Sequence, residues 1–506
     1  MHAPLLTLIV FSPFFSALLL LLLPGEPAGV PRRAAFALAL IPFALSLGLL
    51  AGFDPTLATM QFTEKVPWIP SLGVSYSLGV DGISLWLVLL TTFLTPLVIL
   101  AAWGDIEKRV KEFMFFMLLL ESGMLGALLS IDLLLFYVFW ELMLFPMAFL
   151  IGIWGGPRRI YSAVKFVLYT MGGGLLMLIG ILYLVLAHAK TSGLTFDLLA
   201  IYDTHLSFNE QAWLFAAFAL AFAIKVPMFP LHTWLPDAHT EAPTGGSVIL
   251  AGILLKLGTY GFVRFALPIF PLAARAAFPI IVPLAVIGIL YGAIVAMPQP
   301  DMKRLVAYSS VSHLGFVMVG LWAFNLPGIS GGLLQMINHG LSTGALFLMV
   351  GFIYERRHTR MITEFGGLWS IVPIYSAIFM LVMLSSIGLP GLNGFVGEFL
   401  ILLGAFHANP WAGGLATLGV VLGAVYMLTM YKRVIFGPVT VEANRALHDL
   451  SGREVAVMVP ILVLIIWLGV YPKPFLDRIE PSARAVLARV DRPVATPRVA
   501  TAEVRP

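Results

Sequence analysis

The chain has 506 residues, enough for several soluble domains by length alone. Hydrophobic residues make up 60% and charged residues 11%, with a mean hydropathy of +0.96, whereas a soluble globular chain carries about 25% charged residues. A surface so poor in charge excludes a soluble enzyme, a disordered chain and a single-anchor receptor, and leaves a polytopic membrane protein. The absence of cysteine excludes disulfides, thiolate-held iron–sulfur clusters and CxxC sites. A formal net charge of +4, with the basic residues in short loops and the tail, suits membrane topology and not nucleic acid.

The chain starts Met1-His2-Ala3-Pro4 with no basic stretch before its first apolar run, so residues 5–23 read as a retained span and not as a cleaved signal. A bilayer core of about 30 Å needs about 20 apolar residues per helix. The runs are too long and unbroken for a β-barrel. About fourteen spans follow in chain order: 5–23, 34–52, 82–102, 113–129, 132–153, 160–187, 211–230, 243–267, 276–297, 302–323, 329–354, 370–400, 411–436 and 454–471. The fold class expected is an all-α membrane protein.

Basic residues cluster in the loops that join an odd span to the next even one: Arg32, Arg33, Lys108, Arg109, Lys111, Arg158, Arg159, Lys303, Arg304, Arg356, Arg357, Arg360 and Arg445. The opposite loops hold little beyond Lys65, Lys190 and Arg275. The positive-inside rule therefore places the N-terminus outside and these basic loops in the cytoplasm. The tail after Tyr471 reads as a loosely ordered extension.

Ionisable residues inside the spans carry most of the chemistry, because a charge at the bilayer centre costs about 2.5–3.5 kcal/mol on insertion scales. Glu141 lies in FYVFWELMLFPM and predicts a carboxylate paired with a basic residue on another span. Lys225 lies in FAIKVPMFP, where Pro227 and Pro230 break the helix and free carbonyls for water and protons. Lys256 lies mid-span in VILAGILLKLGTYGF, where burial makes it a proton carrier. Glu398 follows the Gly388, Pro390, Gly391, Gly394 and Gly397 cluster of a second broken helix. His313 and His339 sit on consecutive spans, and a neutral imidazole can relay protons near neutral pH. Glu121 and Lys165 form a weaker tier, and Arg264, near a span end, is expected to snorkel.

The two broken helices, near residues 225 and 395, lie five spans apart. That spacing suggests two five-helix repeats, 113–267 and 276–436, inverted relative to each other because each holds an odd number of spans. Residues 1–112 precede them, and 437–506 add a last span and the tail. Acids stand at the two ends and bases between them along Glu141, Lys225, Lys256, His339 and Glu398, the pattern of a hydrated proton path in the membrane plane. His232, Asp237, His239 and Glu241 lie in the linking segment LHTWLPDAHTEAPTGGS, but their spacing fits no standard metal site, and a structured, gate-lining loop is expected.

The stretches IKVPMFPLHTWLPDAHTEAPTGGSVILAGILLKLGTYGFVRF, YSSVSHLGF and INHGLSTGALFLMVG resemble the antiporter-like subunits of respiratory complex I, which are related to Mrp-type cation/proton antiporters. The resemblance covers roughly residues 80–440. It implies fourteen core helices in two inverted five-helix repeats. It also implies an ion-paired glutamate in the fifth helix, a lysine in the broken seventh, a lysine in the eighth, relay histidines and an ionisable group in the broken twelfth, positions filled here by Glu141, Lys225, Lys256, His313, His339 and Glu398. Glutamate at the twelfth-helix position is the mark of the chain M (chain 4) branch, where other branches carry lysine.

The resemblance further implies a proton-translocating subunit of NADH:quinone oxidoreductase. NADH, FMN, iron–sulfur clusters and quinone would lie in partner subunits, and this chain would hold no cofactor and no metal. Its partners would be the other membrane subunits, especially the other antiporter-like chains, and its place the bacterial inner membrane. The alternatives are an Mrp-like cation/proton antiporter subunit, a haem protein ligated by His313 and His339, and a passive scaffold.

Overall fold

The computed structural model describes residues 4–491. Two helices, α1 (Leu5–Leu22) and α2 (Gly29–Gly52), lead into a two-stranded antiparallel hairpin, β1 (Gln61–Ile69) and β2 (Val74–Val80). Then come α3 (Leu85–Asp105), α4 (Val110–Leu129), α5 (Leu133–Leu142), α6 (Leu144–Trp154), α7 (Arg159–Ser192), the short α8 (Leu198–Ile201) and α9 (Phe208–Lys225). After α9 the chain turns through residues 226–233 into α10 (Trp234–Glu241).

The next continuous helix, Thr244–Ile269, is wound unevenly. It consists of α11 (Thr244–Ile249), a π-helical turn (Leu250–Leu254), α12 (Leu255–Gly261), a second π turn (Phe262–Ala266) and α13 (Leu267–Ile269). The rest comprises α14 (Pro271–Ala276), α15 (Phe278–Ala296), α16 (Met302–Leu321), α17 (Leu326–Arg357), α18 (Pro373–Ser386), α19 (Asn393–Ala408), α20 (Pro410–Ile435), α21 (Gly452–Val470) and α22 (Lys473–Val490).

Among the described residues, twelve helices are long and apolar enough to cross a membrane. All fourteen expected spans nevertheless meet helix. The 211–230 span is α9, whose polar first turn and terminal lysine dilute its hydropathy, and the 370–400 span is the broken pair α18 and α19. Side-chain caps set many of the helix starts, where backbone N–H groups lack intrahelical partners. Asp132 caps α5, Asp301 caps α16 and Asn409 caps α20, while Ser207 with Glu210 and Ser451 with Glu454 form capping boxes on α9 and α21.

The Thr244–Ile269 helix and α17 are buried along their apolar stretches, whereas α1, α2, α7, α15, α20 and α21 are less than half buried there. The apolar outer faces are what lipid requires, and the centre is reserved for polar groups. On the basic-loop side, Lys165 and Arg304 meet Asp237 at 2.8 and 3.6 Å, Arg360 meets Asp301 at 3.1 Å and Arg356 meets Glu454 at 2.6 Å. Lys165 is thus tied down and does not simply snorkel.

Two expectations are corrected. The chain after Tyr471 is helical over Lys473–Val490, with Phe475, Ile479, Ala483, Val486 and Val490 buried on one face. This three-to-four spacing is an amphipathic stripe that the Arg- and Ala-rich composition masked. Lys473 and Asp477 pair one turn apart on its exposed face, and the bond to Asp477 holds the Lys473 ammonium above the ordinary lysine range. Residues 492–506 lie outside the described part. Arg264 does not snorkel either: it is buried in an ion pair with Asp81, while Tyr202 donates to the Arg264 carbonyl at 2.8 Å.

Candidate proton path

The break after Lys225 follows from its sequence. Pro227 and Pro230 have no N–H to continue the ladder, and Trp234 Nε1 donates to the Ile224 carbonyl left open at the end of α9 (2.9 Å). Lys225 is buried at that end, its ammonium 4.9 Å from the centre of the Trp140 ring and 6.0 Å from that of Phe166. Glu141 lies in the last turn of α5, one residue beyond Trp140, and is half-buried. Its Oε1 lies against α7 where Gly174 has no side chain to block it.

Glu141 and Lys225 are within electrostatic reach of each other, yet among the described residues no ion pair joins them. The tight pair that the sequence led us to expect is therefore absent from this conformation. Lys225 sits instead over the face of an aromatic ring, an arrangement that attracts cations.

Lys256, fully buried on α12, belongs to a connected array. Its ammonium donates to the Ala251 carbonyl in the π turn and lies 2.6 Å from His339 Nδ1 on α17. The His339 and His313 ring centres are 5.7 Å apart. His313 Nδ1, on α16, lies 3.1 Å from Glu398 Oε1 on α19. That same oxygen accepts from Gln335 Nε2 at 3.2 Å. Among the described residues, Nε2 of both histidines is without a hydrogen-bond partner.

Around the histidines lies a polar network that the sequence reading missed. Asn338 Nδ2 donates to Gln335 Oε1 (3.2 Å) and to the Asn393 carbonyl (2.8 Å), and Ser342 and Ser385 bond each other (2.6 Å) beside Asn393. A cavity of about 10 Å³ lies among His313, His339, Asn338, Ser342 and Ser385, close to the space one water needs. The signal was present: Gln335, Asn338, His339 and Ser342 repeat at helical spacing along one face of an otherwise apolar run.

Lys256, His339, His313 and Glu398 are thus brought into one row, and Glu141 and Lys225 stand apart from it. Phe222 and Val226 fill the contact between α9 and α12, packed against Gly258, where any side chain would collide with the Phe222 carbonyl. The polar residues of the linking loop are each engaged separately. Asp237 is salt-bridged, Glu241 accepts from the Arg158 N–H (2.8 Å), and His239 stacks on Phe347 at 4.6 Å. On the basic-loop side, a cavity of about 600 Å³ is lined by Asp105, Lys108, Arg109, Glu355 and His358, and an adjoining one of about 140 Å³ reaches Glu241, Thr244 and Lys303.

A helical membrane body with a buried base–imidazole–acid row defines an antiporter-like proton-handling subunit. Residues 130–423 match the NADH:quinone oxidoreductase/Mrp antiporter transmembrane family, and residues 39–129 match the NADH-ubiquinone oxidoreductase chain 4 amino terminus. NADH-quinone oxidoreductase subunit M of Rhodobacter capsulatus is 45% identical, with 98% of this chain and 99% of that one covered. NADH-ubiquinone oxidoreductase chain 4 of Arabidopsis thaliana is 44% identical over 94% of this chain and 95% of that one. Among solved structures, a chain of respiratory complex I from Thermus thermophilus superposes with a TM-score of 0.88 at 35% identity, covering 96% of this chain and 100% of that one. A chain of the Mrp complex from Dietzia gives 0.81 at 25% identity, covering 96% of this chain and 52% of that one. The chain belongs to the subunit M (chain 4) family of NADH-quinone oxidoreductase.

Proposed function

We propose that this chain is a proton-translocating subunit in the membrane arm of NADH:quinone oxidoreductase, and that Glu141, Lys225, Lys256, His313, His339 and Glu398 carry the protons. The observation that carries the reading is the contact row Lys256–His339–His313–Glu398, which joins α12 to the broken helix α19 through the centre of the fold. NADH, FMN, iron–sulfur clusters and quinone belong to partner subunits in this reading, and the neighbours of this chain are the other membrane subunits. The bacterial inner membrane is its place. The basic loops face the cytoplasm and the N-terminus faces outside.

The two helix breaks, at 226–233 and 387–392, fall at corresponding places in repeats 113–267 and 276–436, with residues 1–112 and 437–506 outside them. A pulse from a neighbouring subunit changes the field at half-buried Glu141. Lys225 then releases its proton toward Lys256, and the imidazoles pass a proton to Glu398, which opens to the far side.

Mild-detergent pull-down of the tagged chain tests the assembly, with co-purifying NADH:quinone reductase activity as the expected result. Recovery without redox subunits, together with sodium-dependent proton exchange in vesicles, would favour the Mrp-like antiporter instead. Proton pumping in assembled Lys225→Ala and Lys256→Ala membranes tests the residues. Pumping equal to the parent in both would leave only a scaffold.

A further inference from the structure

One buried carboxyl has no place in that path. Glu121 is 0% exposed on α4, Thr95 of α3 is a polar side chain beside it, and among the described residues neither of its oxygens is in hydrogen-bond geometry. Thr95 directs its own hydroxyl to the Thr91 carbonyl of its helix (2.9 Å). Among the described residues the Thr95 hydroxyl is the polar group nearest it and no cation is paired with it, so an ionised carboxylate would be poorly compensated there.

Contacts at both ends of α4 fix its depth against the Thr244–Ile269 helix. Phe113 packs at Gly245, and the Tyr260 hydroxyl donates to the Leu128 carbonyl (3.0 Å). Each contact pair is fifteen residues from the other on its own helix, so the two helices run alongside in one direction and in step. Glu121 lies eight residues beyond Phe113, about 12 Å along the axis, and Lys256 lies eleven beyond Gly245, about 16 Å. The Lys256 ammonium folds back to the Ala251 carbonyl, which brings it toward the depth of Glu121. Helix α3 borders both groups, with Thr95 at the Glu121 carboxyl and Leu94 against Gly252 of the π turn.

We propose that Glu121 is a further proton-carrying residue, the acidic partner of Lys256 across α4 and the Thr244–Ile269 helix. This rests on the proton-path reading above. In the step proposed, the Glu121 O–H bond breaks as an N–H bond forms on the neutral Lys256 amine, directly or through one water, leaving carboxylate and ammonium. The ammonium then passes a proton to His339 Nδ1, and the carboxylate regains one from the basic-loop side. No electron changes hands.

The test is made in the assembled complex in sealed membranes, with assembly checked on native gels. Glu121→Gln keeps the shape and removes the acid. Coupled proton translocation is expected to fall about tenfold or more, while Glu121→Asp, which keeps an acid, retains most of it. If the amide does not assemble, Glu121→Met takes its place with the same expected loss. Unchanged pumping in the assembled Gln or Met variant overturns the proposal, as does an equal loss in the Asp variant. Lys256→Ala measured in parallel separates the two readings. If it fails to pump while Glu121→Gln pumps normally, only the role of Glu121 falls. If both pump normally, the proton path itself falls.

Discussion

Lys256 Nζ lies 2.6 Å from His339 Nδ1, whereas among the described residues no hydrogen bond connects Lys256 to Lys225, another buried lysine. Hydrogen bonds therefore join Lys256 to His339 and His313 to Glu398, the two imidazole rings stand 5.7 Å apart between centres, and among the described residues no bond reaches back to Lys225. A break of this kind is what a gated relay requires, since a continuous wire would leak protons down their gradient. The gap between α9 and α12, filled by Phe222 and Val226, is where water has to enter for a proton to cross.

Widening or closing that gap should alter coupling. Gly258→Ala places a methyl group against the Phe222 carbonyl and the Val226 backbone. Proton pumping per electron pair is expected to fall while the complex assembles in reduced amount, since overpacking costs about 1–3 kcal/mol. Proton uptake in sealed vesicles, normalised to assembled complex, checks this.

Removing the amine of Lys256 leaves His339 Nδ1 without its partner and cuts the row at its first link. Lys256→Met, similar in length and apolar, is expected to assemble and to lose about tenfold or more of coupled turnover. NADH:quinone activity with and without an uncoupler measures the loss.

Glu398 serves two neighbours, so shape and charge can be separated there. Glu398→Ala strips the acceptor from Gln335 and His313, and unsatisfied buried groups cost about 1–3 kcal/mol. Less assembled complex on native gels is the expected result. Glu398→Gln retains an acceptor oxygen, and is expected to assemble normally and to lose pumping.

The Asp81–Arg264 pair is buried on both sides, and removing one partner leaves an uncompensated charge. Asp81→Ala is expected to cost about 3–5 kcal/mol and to prevent accumulation of the complex, while the double variant Asp81→Leu with Arg264→Met regains a good part of it. The exposed Lys473–Asp477 pair is the control, since surface pairs contribute about 0–1 kcal/mol.

The spans were legible because a bilayer demands long apolar runs, and both helix breaks were legible because proline and glycine leave a local mark. Lys256, His313, His339 and Glu398 stood out as ionisable groups in apolar surroundings, and the structure joins them. Pairings across the fold left no local mark. Asp81 sits in the short stretch before α3 and looks like a loop residue until the fold brings Arg264 to it from 183 positions away. The separation of Glu141 from Lys225 was equally invisible, because opposite charges in one sequence say nothing of the ring that lies beside one of them. The β-hairpin went unread because its strands lie in a connection between spans, where the reading followed long apolar runs.

That hairpin couples distant parts of the chain. The Glu64 carboxylate accepts the Leu6 and Thr7 backbone N–H groups at the start of α1, at 2.7 and 3.0 Å. The next residue, Lys65, pairs at 2.5 Å with Asp197, the cap of α8. Asp132, which caps α5, also accepts the Ser75 N–H of β2 at 2.9 Å. Three helix starts, those of α1, α5 and α8, are thus tied to one ribbon and share a single anchor outside the spans.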